Sequence, residues 1–143
     1  MTMVDFSAIP WLGVLLCMIV AIVSGSIWYG PKTFFPVWWT GIGKTGAQIP
    51  GGGQNMGMVF GLTFVACFFQ ALMMSVVLHA LHPDGYTWAV GAQAGILFWL
   101  AFVMPTYLVN KLFAAHPLYV WGIEIGNHMV NFVLFGIILS FFA

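Results

Sequence analysis

The chain has 143 residues, of which 62% are hydrophobic, 17% aromatic and only 4% charged, and its three basic and three acidic groups cancel. A soluble domain carries about 25% charged residues because its surface must face water, so a soluble enzyme and a disordered segment are both excluded. Three lysines without a single arginine leave no footprint for a phosphate backbone, which excludes nucleic acid as a partner.

A membrane-spanning helix needs about 20 mostly apolar residues, and the chain offers four such stretches. The first, 9–30, opens at Pro10 and stops at Gly30-Pro31. A helix start tolerates proline because its missing N–H would have no partner there. The connection 31–56 carries Trp38 and Trp39, suited to the membrane interface, and a flexible Gly51-Gly52-Gly53 run. The second stretch, 57–82, ends in the tight turn His82-Pro83-Asp84-Gly85. The third, 88–113, is joined to the fourth, 118–142, by His116-Pro117, so the last three helices are expected to run antiparallel. Cys17 and Cys67 fall inside apolar runs and read as small hydrophobes. The expected fold is all-α: a single membrane domain of four transmembrane helices, in contact with the lipid bilayer.

Lys32 and Lys44 lie in the first connection and Lys111 borders the third, whereas the N-terminus, the second turn and the C-terminus have no basic residue. The positive-inside rule then makes 31–56 a cytoplasmic loop and puts both termini outside, in an inner (cytoplasmic) membrane.

Polar groups inside hydrocarbon are costly and point to function. With a rise of about 1.5 Å per residue, Glu124 lies roughly 9 Å from the cytoplasmic end, His128 about 15 Å and Asn131 about 20 Å. His79 comes out near 33 Å and Gln93 near 30 Å, a separate outer polar pair. His79 and His128 therefore cannot share one haem iron, and the histidines of one chain cannot build a zinc site. Helical rotation of about 100° per residue puts Glu124, His128 and Asn131 at roughly 0°, 40° and −20°, with Asn127 near −60°. Three readings of this stripe stay open: inward packing with mutual satisfaction, a proton or solute path, and a bound metal or pigment. No cofactor is required; ligation of a pigment or metal by His128 alone remains an open choice, and two ligands on one helix are too few for a closed metal site. At the depth of Glu124 the neighbouring spans offer Ser24, Ser26, Thr106 and Asn110, and Lys111 is near enough to reach it. No catalytic set of nucleophile, base and acid can be assembled, and acid/base chemistry would rest on Glu124 and His128 alone. The reading therefore leans away from an enzyme and keeps a membrane enzyme, with a metal or lipid substrate the sequence does not identify, as a third alternative.

Gly57/Gly61, Gly91/Gly95 and Gly122/Gly126 are small-xxx-small pairs on three spans, the pattern that lets helix backbones approach. Pro105 inside the third span should kink it and expose carbonyls near Ala101 and Phe102.

Two stretches carry a resemblance. Gly25-Ser26-Ile27-Trp28-Tyr29-Gly30-Pro31 with Phe34-Phe35 and Trp38, and Phe102 to Thr106 through Asn110-Lys111-Leu112-Phe113 to His128 and Gly136, resemble the domain-of-unknown-function 1761 family. The region 40–56 departs from it, a glycine-rich segment replacing a polar loop helix. The resemblance implies a small bacterial-type four-helix membrane protein and no activity; Trp28, Tyr29, Pro105, Asn110 and His128 are its motif residues.

Two functions follow. One is a non-catalytic helix-packing subunit or scaffold, whose glycine and aromatic faces meet other transmembrane helices in a homo-oligomer or larger complex, or contact lipid or pigment. The other is a small proton-coupled transporter using Glu124, Asn127, His128 and Asn131.

Overall fold

The computed structural model describes residues 4–45 and 55–143, and no strand occurs among them. The Gly51–Gly53 run lies outside the described residues. Four helices are long and apolar enough to cross a membrane: Trp11–Trp28, Met56–Leu81, Trp88–Phe113 and Leu118–Ser140. The first is α1. A short α2, Phe35–Gly41, then forms within the connection 31–56, with Pro36 in its first turn. Next come α3 (Met56–Leu81), α4 (Trp88–Phe98), a π turn (Trp99–Val103), α5 (Met104–Phe113) and α6 (Leu118–Ser140).

Local chemistry sets the boundaries. The Asn55 side chain accepts the Met58 N–H at 3.2 Å and Thr87 accepts the Val90 N–H at 3.4 Å, each capping a helix start. α5 ends in a Schellman arrangement. The Ala115 N–H reaches the Leu112 carbonyl at 3.2 Å and the His116 N–H reaches that of Lys111 at 3.0 Å. Ala115 takes the left-handed conformation there, φ 56°, and thereby fixes the last turn that carries Lys111.

The irregularity expected from Pro105 takes the form of the π turn just ahead of it. Proline has no N–H to give and crowds the carbonyl four residues back, and a wider turn relieves both problems. Nearby acceptors are occupied: the Phe102 carbonyl takes the Thr106 hydroxyl at 2.6 Å, and the Met104 carbonyl takes the Trp121 indole N–H at 3.0 Å.

α6 is the hub, touched by α1, α2, α3, α4 and α5. Val14, Cys17 and Ala21 of α1 meet Ala71, Met74 and Leu78 of α3 and Phe132, Phe135 and Leu139 of α6 in the main core. The closest approach is between α4 and α6. A Cβ on Gly91 would strike the backbone of Gly136, and one on Gly95 would strike the Phe132 carbonyl.

The other glycine pairs behave differently. Gly126 accommodates the Trp28 ring, 2.7 Å from where a Cβ would stand, whereas among the described residues Gly122 and Gly61 meet nothing within 4 Å and Gly57 meets only the Asn55 side chain. Glycine matters where a second backbone arrives, and spacing alone does not say which glycines receive one. Gly136, unpaired with another glycine, is the true partner of Gly91; it belongs to a Gly136-xxx-Ser140 pair once serine counts as small.

This contrast is testable by thermal unfolding followed by circular dichroism. Gly91→Ala should destabilise by about 1–3 kcal/mol or more, because α4 and α6 must part. Gly122→Ala should be neutral or stabilise by up to about 1 kcal/mol, since it removes backbone freedom without a clash.

Candidate functional site

The face of α6 bearing Glu124, Asn127, His128 and Asn131 turns inward, and Glu124, Asn127 and Asn131 are all less than 9% exposed. An isolated carboxylate in such surroundings would be very costly. Glu124 is not isolated. Its Oε2 lies 2.9 Å from Lys111 Nζ of α5, and its Oε1 accepts the indole N–H of Trp38 of α2 at 3.0 Å. Both partners depend on features outside α6: Lys111 sits on the turn closed by Ala115 and His116, and Trp38 is delivered by the fold-back of α2.

Aromatic rings cover the pair. Tyr29 meets Trp38 edge-on with ring centres 5.1 Å apart, and Phe35 and Trp39 pack beside it. Trp38 and Trp39 thus pack against protein, and Trp39 is only 6% exposed. The carboxylate gives the Trp38 indole N–H a charged acceptor, which makes a stronger hydrogen bond than a neutral carbonyl would.

The remaining stripe residues reach other helices. Asn127 Nδ2 donates to Ser24 Oγ of α1 at 2.9 Å. His128 Nε2 and the Tyr107 hydroxyl of α5 are 2.8 Å apart, with ring centres at 4.9 Å. His128 Nδ1 and Asn131 Oδ1 are buried without a hydrogen-bond partner. The stripe therefore divides among α1, α2 and α5, each polar group tying α6 to a different neighbour.

Several candidates stay apart from it. Thr106 and Asn110 face outward, and the Thr106 hydroxyl is used on the Phe102 carbonyl. Ser26 likewise bonds its own helix, at the Ile22 carbonyl. Gln93 is exposed while His79 lines a cavity, and among the described residues no hydrogen bond joins them. Gln70 borders an apolar groove of about 250 Å³ between α3 and the third span, beside Met73, Phe98 and Phe132.

Some contributors escaped the sequence reading. Tyr107 was missed because its depth, about 9 Å by rise alone, matches Glu124 better than His128. The indoles of Trp28 and Trp99 donate to the α6 carbonyls of Ile123 and Ile125 at 2.9 and 2.8 Å, and Trp121 does the same for Met104. Of these only Trp99 lies well inside a span, whereas Trp28, already named as a motif residue, closes α1 and Trp121 stands in the first turn of α6. Among the described residues no three His, Cys, Asp or Glu side chains gather as a metal-binding set.

The motif residues quoted from the sequence now have places: Trp28 against Gly126, Tyr29 against Trp38, Pro105 at the π turn, His128 on Tyr107. The chain belongs to the family described as protein of unknown function (DUF1761), whose model matches residues 12–140. That match covers all four spanning helices almost completely, so the DUF1761 unit is the bundle itself. Comparison with curated proteins and with solved structures returns no match.

The pairing in this DUF1761 bundle makes a directional prediction. Lys111→Met leaves a buried carboxylate without its cation and should destabilise by about 3–5 kcal/mol. The double variant Lys111→Met with Glu124→Gln should recover most of that loss, as read by denaturant or thermal unfolding in detergent.

Proposed function

We propose that this chain is a non-catalytic helix-packing subunit of a homo-oligomer or larger membrane assembly. The observation that carries the reading is the first part of α3. From Met56 to Ala66 no residue is buried, and Met58, Phe60, Leu62, Phe64 and Val65 all point away from the bundle. The same stretch presents Gly61, which nothing among the described residues approaches within 4 Å, and Gly57, which only the Asn55 side chain of its own cap approaches. A small-residue face within an outward apolar helix is the form that admits another helix backbone. The polar stripe of α6 supports the same reading, because most of its groups are spent on holding α1, α2 and α5 in place.

The proposed setting is a bacterial inner membrane with both termini outside. Lys32 and Lys44 are exposed near α2 and favour a cytoplasmic position for that end. Lys111, neutralised by Glu124, contributes less to that bias than its charge suggests.

Native mass spectrometry of the protein in mild detergents should report a stable oligomer or a complex with another polypeptide. Gly61→Trp should dissociate it while leaving the monomer's unfolding transition unchanged, since nothing among the described residues lies within 4 Å of a Cβ at Gly61. A lone monomer in every mild detergent would count against the proposal.

A proton-coupled carrier is the second reading, favoured by the two unpartnered polar atoms, His128 Nδ1 and Asn131 Oδ1, on the inward face of α6. It requires that Glu124→Gln abolish pH-dependent solute uptake in proteoliposomes. Uptake that persists unchanged in the variant removes it.

A further inference from the structure

At the opposite end of the bundle from the Lys111–Glu124 pair, the segment before α1, the end of α3, the following turn and the end of α6 enclose a cavity of about 150 Å³. Four hydrogen-bonding side chains line it: Ser75, His79, His82 and Tyr86. Among the described residues none of the four has a side-chain hydrogen bond. This is the reverse of the α6 stripe, where most of the polar groups are taken.

Ser75 is the decisive member. It is only 4% exposed, and a buried hydroxyl inside a helix ordinarily donates to the carbonyl one turn back. Ser26, Thr63 and Thr106 all do so in this chain. The Ser75 hydroxyl does not, and it borders the cavity instead. Its oxygen opens on the cavity, where a bound acceptor can take the hydrogen bond that the helix carbonyl does not.

The lining also indicates the ligand. Every polar side chain on it can donate a hydrogen bond and none is a carboxylate; Ala143 also lines the cavity, its main chain lying beside Gly85. Burial pushes the Tyr86 phenol up to about 12, so it keeps its proton at neutral pH. The nearby acid, Asp5, is engaged by the Ser7 N–H at 2.9 Å and the Ser7 hydroxyl at 2.6 Å. Leu139 and Phe142 add apolar wall. Cavities of this volume hold a molecule about the size of benzene.

We infer that this cavity is a binding site for a small oxyanion group, a carboxylate or a phosphate, that accepts hydrogen bonds from Ser75, Tyr86 and the imidazoles of His79 and His82. The group can belong to a free solute or to a lipid headgroup. The inference is independent of the oligomeric reading above.

The test uses the full chain labelled with ¹⁵N-histidine in maltoside micelles, titrated with sodium acetate or inorganic phosphate against a chloride control. The His79 and His82 side-chain resonances should shift saturably while His128 stays still. Ser75→Ala or Tyr86→Phe should raise the midpoint by about five-fold, the loss of one hydrogen bond. The thermal transition of each variant checks that it is folded. Repeating the titration in phosphatidylglycerol nanodiscs separates the sources. Continued saturation there assigns a soluble anion, whereas resonances already shifted and unresponsive assign a lipid headgroup. Linear, non-saturating shifts in the unmodified protein, or midpoints unaltered in both variants, would overturn the site.

Discussion

A carboxylate held inside an apolar bundle must be matched by a cation and by further donors, or the fold around it fails. Glu124 meets that demand with Lys111 on one oxygen and the Trp38 indole on the other. The consequences extend well beyond the pair. Lys111 must arrive at the right height, so α5 has to end where Ala115 and His116 close it. Trp38 must fold back, so the segment after α1 has to form a helix of its own. A buried ion pair seldom adds net stability over an apolar substitute, but it rejects arrangements that leave either charge alone. In this bundle it fixes the register of α2, α5 and α6 against one another.

The indoles extend the same logic to uncharged groups. In a low-dielectric interior an indole N–H without a partner is expensive, and the obvious acceptors in a helical bundle are already used along the helix axes. A carbonyl oxygen has a second lone pair, and Trp28, Trp99 and Trp121 each exploit one on another helix. These bonds are directional where apolar packing is not. They hold α1 and the third span at fixed rotations about α6, which lets the Gly91–Gly136 contact close without side chains to guide it. One indole, that of Trp39, is buried with its N–H unmatched.

The two ends of the molecule therefore differ in kind. At one end most polar groups are consumed by internal pairs, and among the described residues His128 Nδ1, Asn131 Oδ1, His116 Nδ1 and the Trp39 indole N–H are left over. At the other, four donors line a cavity and, among the described residues, none of them makes a side-chain hydrogen bond. The first arrangement is what a scaffold requires; the second is what a binding site requires.

The sequence alone determined the four spans, the all-α class and the family, because hydrophobic length and the exclusion of charge are properties of short stretches of chain. It also determined which face of α6 is polar, since helical rotation follows from residue number. Lys111 as the reach of Glu124 was legible for the same reason of height. The partners of Asn127 and His128, the folding of α2 onto Glu124, and the choice of Gly136 over Gly122 were decided only by the tertiary structure. Each depends on the tilt and rotation of one helix against another, which are set by packing summed over many side chains. The free donors of Ser75, His79, His82 and Tyr86 belong to that second class too: residues on a helix end and in a turn become a site only once the ends of α1 and α6 wall them in.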